Sequence, residues 1–172
     1  ITGSNFVDII TANTATGDDD VLNLGAGNDV VKISRVAFAD RDQSGNDSVF
    51  NFGSGTGDTL EFTTAGAIID ADMVQMTGVE TIKLANGTNG LVMGTIATNT
   101  AGVVNVTGGT GADTITVGVG SHTLTTAAGS DVVITTTNTV AAITSDAVIK
   151  YTTITDWAAS DKITFTIGAT NT

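Results

Sequence analysis

Sixteen of the eighteen acidic residues of this chain are aspartate, and several follow closely on glycines, an arrangement that could hold a cation. The densest case is residues 108–134, GGTGADTIT–VGVGSHTLT–TAAGSDVVI, three nine-residue units laid end to end. The first unit is a complete G-G-x-G-x-D-x-U-x, with U a large apolar residue. Gly108, Gly109 and Gly111 permit backbone angles that a side chain would forbid. Asp113 places a carboxylate at the end of the turn, and Ile115 points an apolar side chain inward as the strand begins. The third unit keeps Gly129, Asp131 and Val133, whereas the middle unit keeps Gly118, Gly120 and Leu124 and carries His122 in the aspartate's place. Aspartate is a compact oxygen ligand for hard cations. It is equally a good turn residue, and a solvated acidic surface is the plain alternative.

The elements that must position these carboxylates are short strands joined by glycine turns. Thr, Ala, Gly, Val and Asn dominate the chain and proline is absent, so strand is favoured over helix. Residues 1–32 read as a degenerate copy of the same stretch. TGSNFVDIIT lines up with TGGTGADTIT at an offset of 105, pairing Asp8 with Asp113, and LGAGNDVV lines up with TAAGSDVV at an offset of 102, pairing Asp29 with Asp131. Gly25 and Gly27 precede Asp29, Asp20 fills the slot of the His122 unit, and Asp47 follows Asp29 by eighteen residues. The candidate ligands of this copy are therefore Asp8, Asp20, Asp29 and Asp47.

The duplication continues in VFNFGSGTGDTLEF (residues 49–62) and ITDWAASDKITF (residues 154–165), each read as a closing strand pair. Phe52 and Trp157 are expected to seal an open end of the stack. Asp58 and Asp161 read mainly as turn residues. Between the copies, one helical turn is expected near residues 70–74, then a strand over 79–84 and a turn at NGTNG (residues 86–90). Met73 and Met76 are expected to fill core. The expected architecture is all-β: a parallel β-solenoid (β-roll or β-helix) with two related repeat copies and glycine-rich Asp turns. Its expected segments are a first solenoid copy at 1–62, a connecting β segment at 63–103, and a second copy with closing strands at 104–172.

Charge and composition exclude several functions. A net charge of −12 repels nucleic acid and anionic membrane. Without cysteine there is neither a disulfide scaffold nor a thiolate metal site, and no apolar run approaches the ~20 residues of a transmembrane helix. A Ser-His-Asp set from Ser121 or Ser130, His122 and Asp131 lacks the G-x-S-x-G elbow, and GSGTG lacks the lysine of a P-loop. The chain reads as no enzyme. Asn46-Asp47-Ser48, Asn86-Gly87-Thr88 and Asn105-Val106-Thr107 fit the N-glycosylation pattern, as chance triplets do in a Thr/Asn-rich sequence. Ile1 lies inside a repeat-like unit, so the chain reads as a piece of a longer protein.

The nonapeptides resemble the calcium-binding repeats of RTX proteins. With TGVETIKL (residues 77–84), the long Thr/Asn/Ala-rich strands and TDWAASDKITF, the chain is similar to bacterial S-layer and related β-strand-repeat surface proteins, which leave Gram-negative cells by type I secretion. In the RTX family two nonapeptides make one turn of a β-roll, so loops eighteen residues apart stack. The resemblance implies that Asp113 and Asp131 share one edge and could share an ion, that Asp29 stacks with Asp47, and that His122 falls on the opposite edge. It implies calcium as the cofactor. Stacked carboxylates repel until a cation neutralises them, and Ca²⁺ accepts six to eight oxygens, which Asp and turn carbonyls supply; metal-free turns are the alternative.

The function implied is a structural module of a secreted bacterial cell-surface protein, an S-layer or surface filament folded outside the cell by calcium. Self-association into a lattice or filament goes with it, as does a cell-surface polysaccharide anchor outside these residues. The alternative is a calcium-binding RTX accessory domain of a secreted adhesin or hydrolase. Threonine content also suggests a ligand- or ice-binding solenoid, although the threonine spacing along the sequence is too uneven to favour it.

Overall fold

Strands of two to five residues with one apolar face cannot bury that face alone, so they must stack on one another. The computed structural model describes residues 1–12, 21–39, 49–73, 76–93, 103–118, 121–135 and 152–165. In chain order the strands are β1 (Ile9–Ala12), β2 (Val21–Asn23), β3 (Val30–Ile33), β4 (Val49–Asn51) and β5 (Thr59–Phe62). Then come β6 (Ala67–Ile68), β7 (Met76–Thr77), β8 (Thr81–Lys83), β9 (Gly90–Val92) and β10 (Val103–Thr107). The last are β11 (Thr114–Val117), β12 (Ser121–Thr125), β13 (Val132–Thr135), β14 (Thr152–Ile154) and β15 (Lys162–Phe165). A single helical turn and a half, α1 (Arg35–Ala39), follows β3, and a 3₁₀ turn spans Asp70–Met73. The expected turn near residues 70–74 is thus present, with Ile69 N–H held by Asp72 Oδ2 at 2.8 Å.

Among the described residues every strand pairing is parallel. Three sheets result, ordered β1-β3-β5-β8-β10-β12-β14, β15-β13-β11-β9-β6 and β2-β4-β7. The chain visits the sheets in alternation, each strand lying beside one from an earlier visit. From β8 onward it alternates strictly between the seven-stranded and five-stranded sheets. The all-β, parallel class expected from composition is the one the chain adopts. No helix among the described residues is long and apolar enough to cross a membrane.

The register turns the two-residue alternation of each strand into columns of like side chains. Ile10, Val31, Leu60, Ile82, Val106, Leu124 and Ile154 are successive partners across all seven strands. Ile68, Leu91, Ile115, Val133 and Ile163 form the column of the five-stranded sheet. Of these, all but the terminal Ile10, Ile154 and Ile163 are buried. The third sheet contributes Leu22, Phe50 and Met76. Helix α1 plugs the space between sheets with Phe38, whose ring meets Phe62 edge-on at 5.0 Å. Met73 and Met76 are buried in the core, as expected.

The structure corrects two sequence expectations. Phe52 caps no end: it is fully buried among the strands, whereas Trp157 is half-exposed. The first of the two "closing" pairs does not close anything, because β5 is third of seven in its sheet; only the second pair, β14 and β15, supplies terminal strands. The partner of Asp29 eighteen residues on, Asp47, lies outside the described residues, and the residue that does stack with Asp29 on that side is Asp58, twenty-nine residues on. The excursion through α1 lengthens that connection. Residues 135–153, Thr-rich and alternating and so read as strand on both sides of a turn near Ser145–Asp146, fall largely outside the described residues.

Candidate metal centre

Each parallel strand begins with a backbone N–H that the ladder leaves over, and a short carboxylate on the neighbouring strand's first residue can reach it. Two columns are built this way. In the first, Asp8, Asp29, Asp58 and Glu80 immediately precede β1, β3, β5 and β8. Asp8 N–H donates to Asp29 Oδ1 at 2.8 Å, Asp29 N–H to Asp58 Oδ1 at 2.6 Å, and Asp58 N–H to Glu80 Oε2 at 2.9 Å. In the second, Asn89, Asp113, Asp131 and Asp161 precede β9, β11, β13 and β15. Asn89 N–H donates to Asp113 Oδ1 at 3.0 Å, Asp113 N–H to Asp131 Oδ1 at 2.8 Å, and Asp131 N–H to Asp161 Oδ1 at 3.1 Å. The carbonyls run the other way: Val30, Thr59, Thr114, Val132 and Lys162 N–H donate to the carbonyls of Asp8, Asp29, Asn89, Asp113 and Asp131. Charge-assisted hydrogen bonds of this kind are roughly twice as strong as neutral ones.

The second oxygen divides the aspartates into two kinds. Asp8 Oδ2 accepts from Ser4 N–H at 2.7 Å, Asp113 Oδ2 from Gly109 N–H at 2.9 Å, and Asp161 Oδ2 from Ala158 N–H at 2.8 Å. These carboxylates close their own turns. Asp29, Asp58 and Asp131 instead bury Oδ2 with no hydrogen-bond partner. All three are at most 1 % exposed. The reason at Asp131 is visible: Ala127 N–H, which corresponds to Gly109 N–H eighteen residues earlier, donates to Asp156 Oδ2 at 2.7 Å and is not available.

Burial raises the Asp58 carboxyl above the usual 3.8, reinforced by the Glu80 and Asp29 carboxylates and opposed by the N–H groups of Asp29 and of Gly55 in its own turn. Burial likewise raises Asp131, with Asp113, Asp161 and Asp156 adding to it against the Asp113 N–H. A buried carboxylate oxygen without a partner is costly, and a cation, a proton or a donor must compensate it. The sign follows from linkage: a raised folded-state pKa means the folded chain binds the proton more tightly, so stability grows as pH falls from that raised value to 3.8. In chelator, Asp58→Asn/Asp131→Asn is therefore expected to exceed the wild type in stability at neutral pH, with the gap closing as pH falls through that window. Urea midpoints of the two proteins across pH measure this, and a gap independent of pH would refute it.

Among the described residues no three His, Cys, Asp or Glu side chains gather closely enough to hold a metal by themselves. An ion on these columns would need backbone carbonyls as well, which Ca²⁺ accepts readily. Two glycines lie beside these carboxylates. A Cβ on Gly129 would collide with Gly111 O and lie 3.0 Å from Asp131 Oδ1, the oxygen that already accepts the Asp113 N–H. A Cβ on Gly55 would collide with Gly27 O and lie 2.6 Å from both Asp58 oxygens. These contacts show turns packed too closely for a side chain. The feature that suits a hard cation is the buried carboxylate oxygen left without a hydrogen-bond partner.

Comparison with protein-family models, with curated proteins and with solved structures finds no match to this chain. The assignment of any site rests on the geometry alone.

That geometry brings Asp113 and Asp131 into neighbouring positions of one column. It satisfies Asp113 fully, however, because Asn89 Nδ2 adds a third donor at 2.8 Å. Asp8 and Asp29 stand next to each other on the other column. Asp8 and Asp113, aligned in sequence, thus precede strands of different sheets. Asp20 lies outside the described residues. His122 occupies no turn: it is the second residue of β12, buried, in register with Val104 and Thr152.

The glycines need a different explanation from the one the motif suggests. Gly108, Gly109 and Gly111 do not adopt left-handed backbone; a Cβ on them would strike Thr126 O, Ala85 O and Gly87 O of adjacent turns. They are small because turns stack at strand spacing. Gly25 and Gly27 do take positive φ, 96° and 131°.

Sequence reasoning undervalued Asp58 and Asp161 and missed Glu80, Asn89 and Asp156. The signal for four of these is a polar residue placed directly before a short alternating strand. Asp156 follows its strand and clamps Thr126 N–H and Ala127 N–H at 2.8 and 2.7 Å. That clamp holds Ala127 at φ 67°, where a Cβ is strained. Ala127→Gly is expected to add about 1 kcal/mol of stability, read as a higher urea midpoint with unchanged slope.

Proposed function

We propose that this chain is a β-solenoid module of a secreted bacterial surface structure, an S-layer or filament, whose turns are organised by calcium. The observation that carries the reading is the pair of polar columns, with buried aspartate oxygens left without a hydrogen-bond partner. When bound, calcium supplies the positive charge those oxygens lack. Asp131 would help to hold it on the second column, with Asp113 and Asp161 holding the backbone of their own turns in place. The alternation of parallel strands between sheets supports coiling into a solenoid, in which each layer is stabilised by its neighbours. The net charge of −12 would resist folding until it is screened or neutralised.

Self-association into a lattice or filament belongs to the same proposal. The test is a calcium titration of chelator-stripped protein, following circular dichroism and light scattering together. Strand signal and ordered particles that both grow with calcium are the expected result. Strand signal without particles would favour a calcium-binding accessory domain of a secreted adhesin or hydrolase. A chain fully folded in chelator and unchanged by calcium would refute the metal reading.

A further inference from the structure

The turn NGTNG (residues 86–90), which leads into β9, holds both Asn-Gly pairs of the chain, and the fold treats them oppositely. Asn-Gly is the pair in which a backbone nitrogen most readily attacks the preceding side-chain amide, because glycine puts no Cβ in its way. At Asn86 the reacting groups are free. Its side chain is exposed and Gly87 is only partly buried, with φ 114°. Among the described residues neither Asn86 Nδ2 nor Gly87 N–H makes a hydrogen bond. Asn86 Oδ1 accepts Thr110 N–H at 3.2 Å, a donor aimed at the oxygen on which charge would develop during attack.

At Asn89 the same chemistry is blocked. The side chain is 2 % exposed, and its Nδ2 faces Ala85 O at 2.8 Å, Gly87 O at 3.0 Å and Asp113 Oδ1 at 2.8 Å. The nucleophile is committed as well, since Gly90 N–H donates to Gly66 O at 3.1 Å as β9 begins. Asn89 Oδ1 also takes an N–H, from Gly66 at 3.3 Å, so polarisation of the amide does not separate the two sites. The freedom of the attacking nitrogen and of the leaving group does.

We propose that Asn86 is a site of spontaneous deamidation and that the fold protects Asn89, three residues on. The Gly87 nitrogen gives its proton to water or hydroxide and bonds to Asn86 Cγ. The Cγ–Nδ2 bond then breaks and ammonia leaves, closing a succinimide ring. Water opens that ring at either carbonyl, leaving aspartate or isoaspartate at position 86. One water is consumed and one ammonia released, with no change of oxidation state. Aspartate keeps an oxygen for Thr110 N–H. Isoaspartate adds an atom to the main chain, and this turn has no room for it. A Cβ on Gly109 would collide with Ala85 O and lie 2.9 Å from Asn86 Cα, and one on Gly111 would collide with Gly87 O and lie 2.9 Å from Gly87 Cα. Isoaspartate therefore loosens the stacking of this turn on the complete nonapeptide.

The test is incubation of the full chain at mildly alkaline pH, in native buffer and in concentrated urea, with peptide mass spectrometry to score each asparagine. In native buffer Asn86 is expected to convert more than about tenfold faster than Asn89, whose reaction waits on local opening of the turn. In urea the two rates are expected to converge, since both residues precede glycine and no fold separates them. Asn86→Gln is expected to abolish conversion at position 86 and leave Asn89 unreactive. Asn86 converting no faster than Asn89 in native buffer would overturn the proposal, as would a difference that persists unchanged in urea. The isoaspartate form, separated by ion exchange, is expected to unfold at lower urea than the Asn86→Asp variant. Equal midpoints would overturn the claim that the turn has no room for the added atom.

Discussion

Asp113→Ala is expected to cost about 4 kcal/mol of folding stability, by the same amount in chelator and in calcium. Asp113 is 1 % exposed and accepts three hydrogen bonds: Asn89 N–H at 3.0 Å, Asn89 Nδ2 at 2.8 Å and Gly109 N–H at 2.9 Å. Alanine removes both acceptor oxygens and strands buried donors, each of which costs about 1–3 kcal/mol when left unpaired. The Asn89 amide keeps its bonds to the Ala85 and Gly87 carbonyls, which holds the total below a simple sum. Urea denaturation measures the loss, and hydrogen exchange at Asn89 and Gly109 localises it. Independence from calcium is the informative part. A loss that appears only in calcium would make Asp113 an ion ligand after all, contrary to its complete set of donors.

Gly53→Ala should be comparably damaging, at about 3–5 kcal/mol, for a reason unrelated to charge. Gly53 has φ 90°, where a side chain is strained, and its Cβ would collide with Gly25 O while lying 2.8 Å from Gly25 C. The obstacle is backbone, and it cannot retreat. Ser54 N–H holds Gly25 O at 3.0 Å, and Gly25 itself lies against the carbonyl of Ser4. Gly90→Ala is the control, because the nearest atoms to its Cβ are ordinary contacts at 3.8 Å from Ala67; its stability should change by less than about 1 kcal/mol. If the two alanines cost the same, close stacking of the turns is not what selects glycine at residue 53.

Both predictions concern positions whose importance was only half legible beforehand. Asp113 stands in a complete motif, and its eighteen-residue separation from Asp131 is the true stacking interval. Asp29 shows why that interval does not generalise. The connections from one column residue to the next span 21, 29 and 22 residues on the first column, and 24, 18 and 30 on the second. Lengthening a loop adds closure entropy only logarithmically, about 0.6 kcal/mol for each doubling, so insertions such as α1 are cheap and erase any fixed period.

What the amino-acid sequence determined by itself was local: β-branched alternation that makes short strands, a helical turn at Asp70–Met73, buried Met73 and Met76, and polar residues where strands begin. These follow from the preferences of a few adjacent residues. Only the tertiary structure decided which strands became neighbours, and with them which carboxylates share a column. It also decided that Asp113 would find three donors, while Asp29, Asp58 and Asp131 would each keep an oxygen buried and unpartnered. Parallel pairing is set by the fit of whole layers, not by distance along the chain, so the environment of each aspartate is made by residues roughly twenty to thirty positions away.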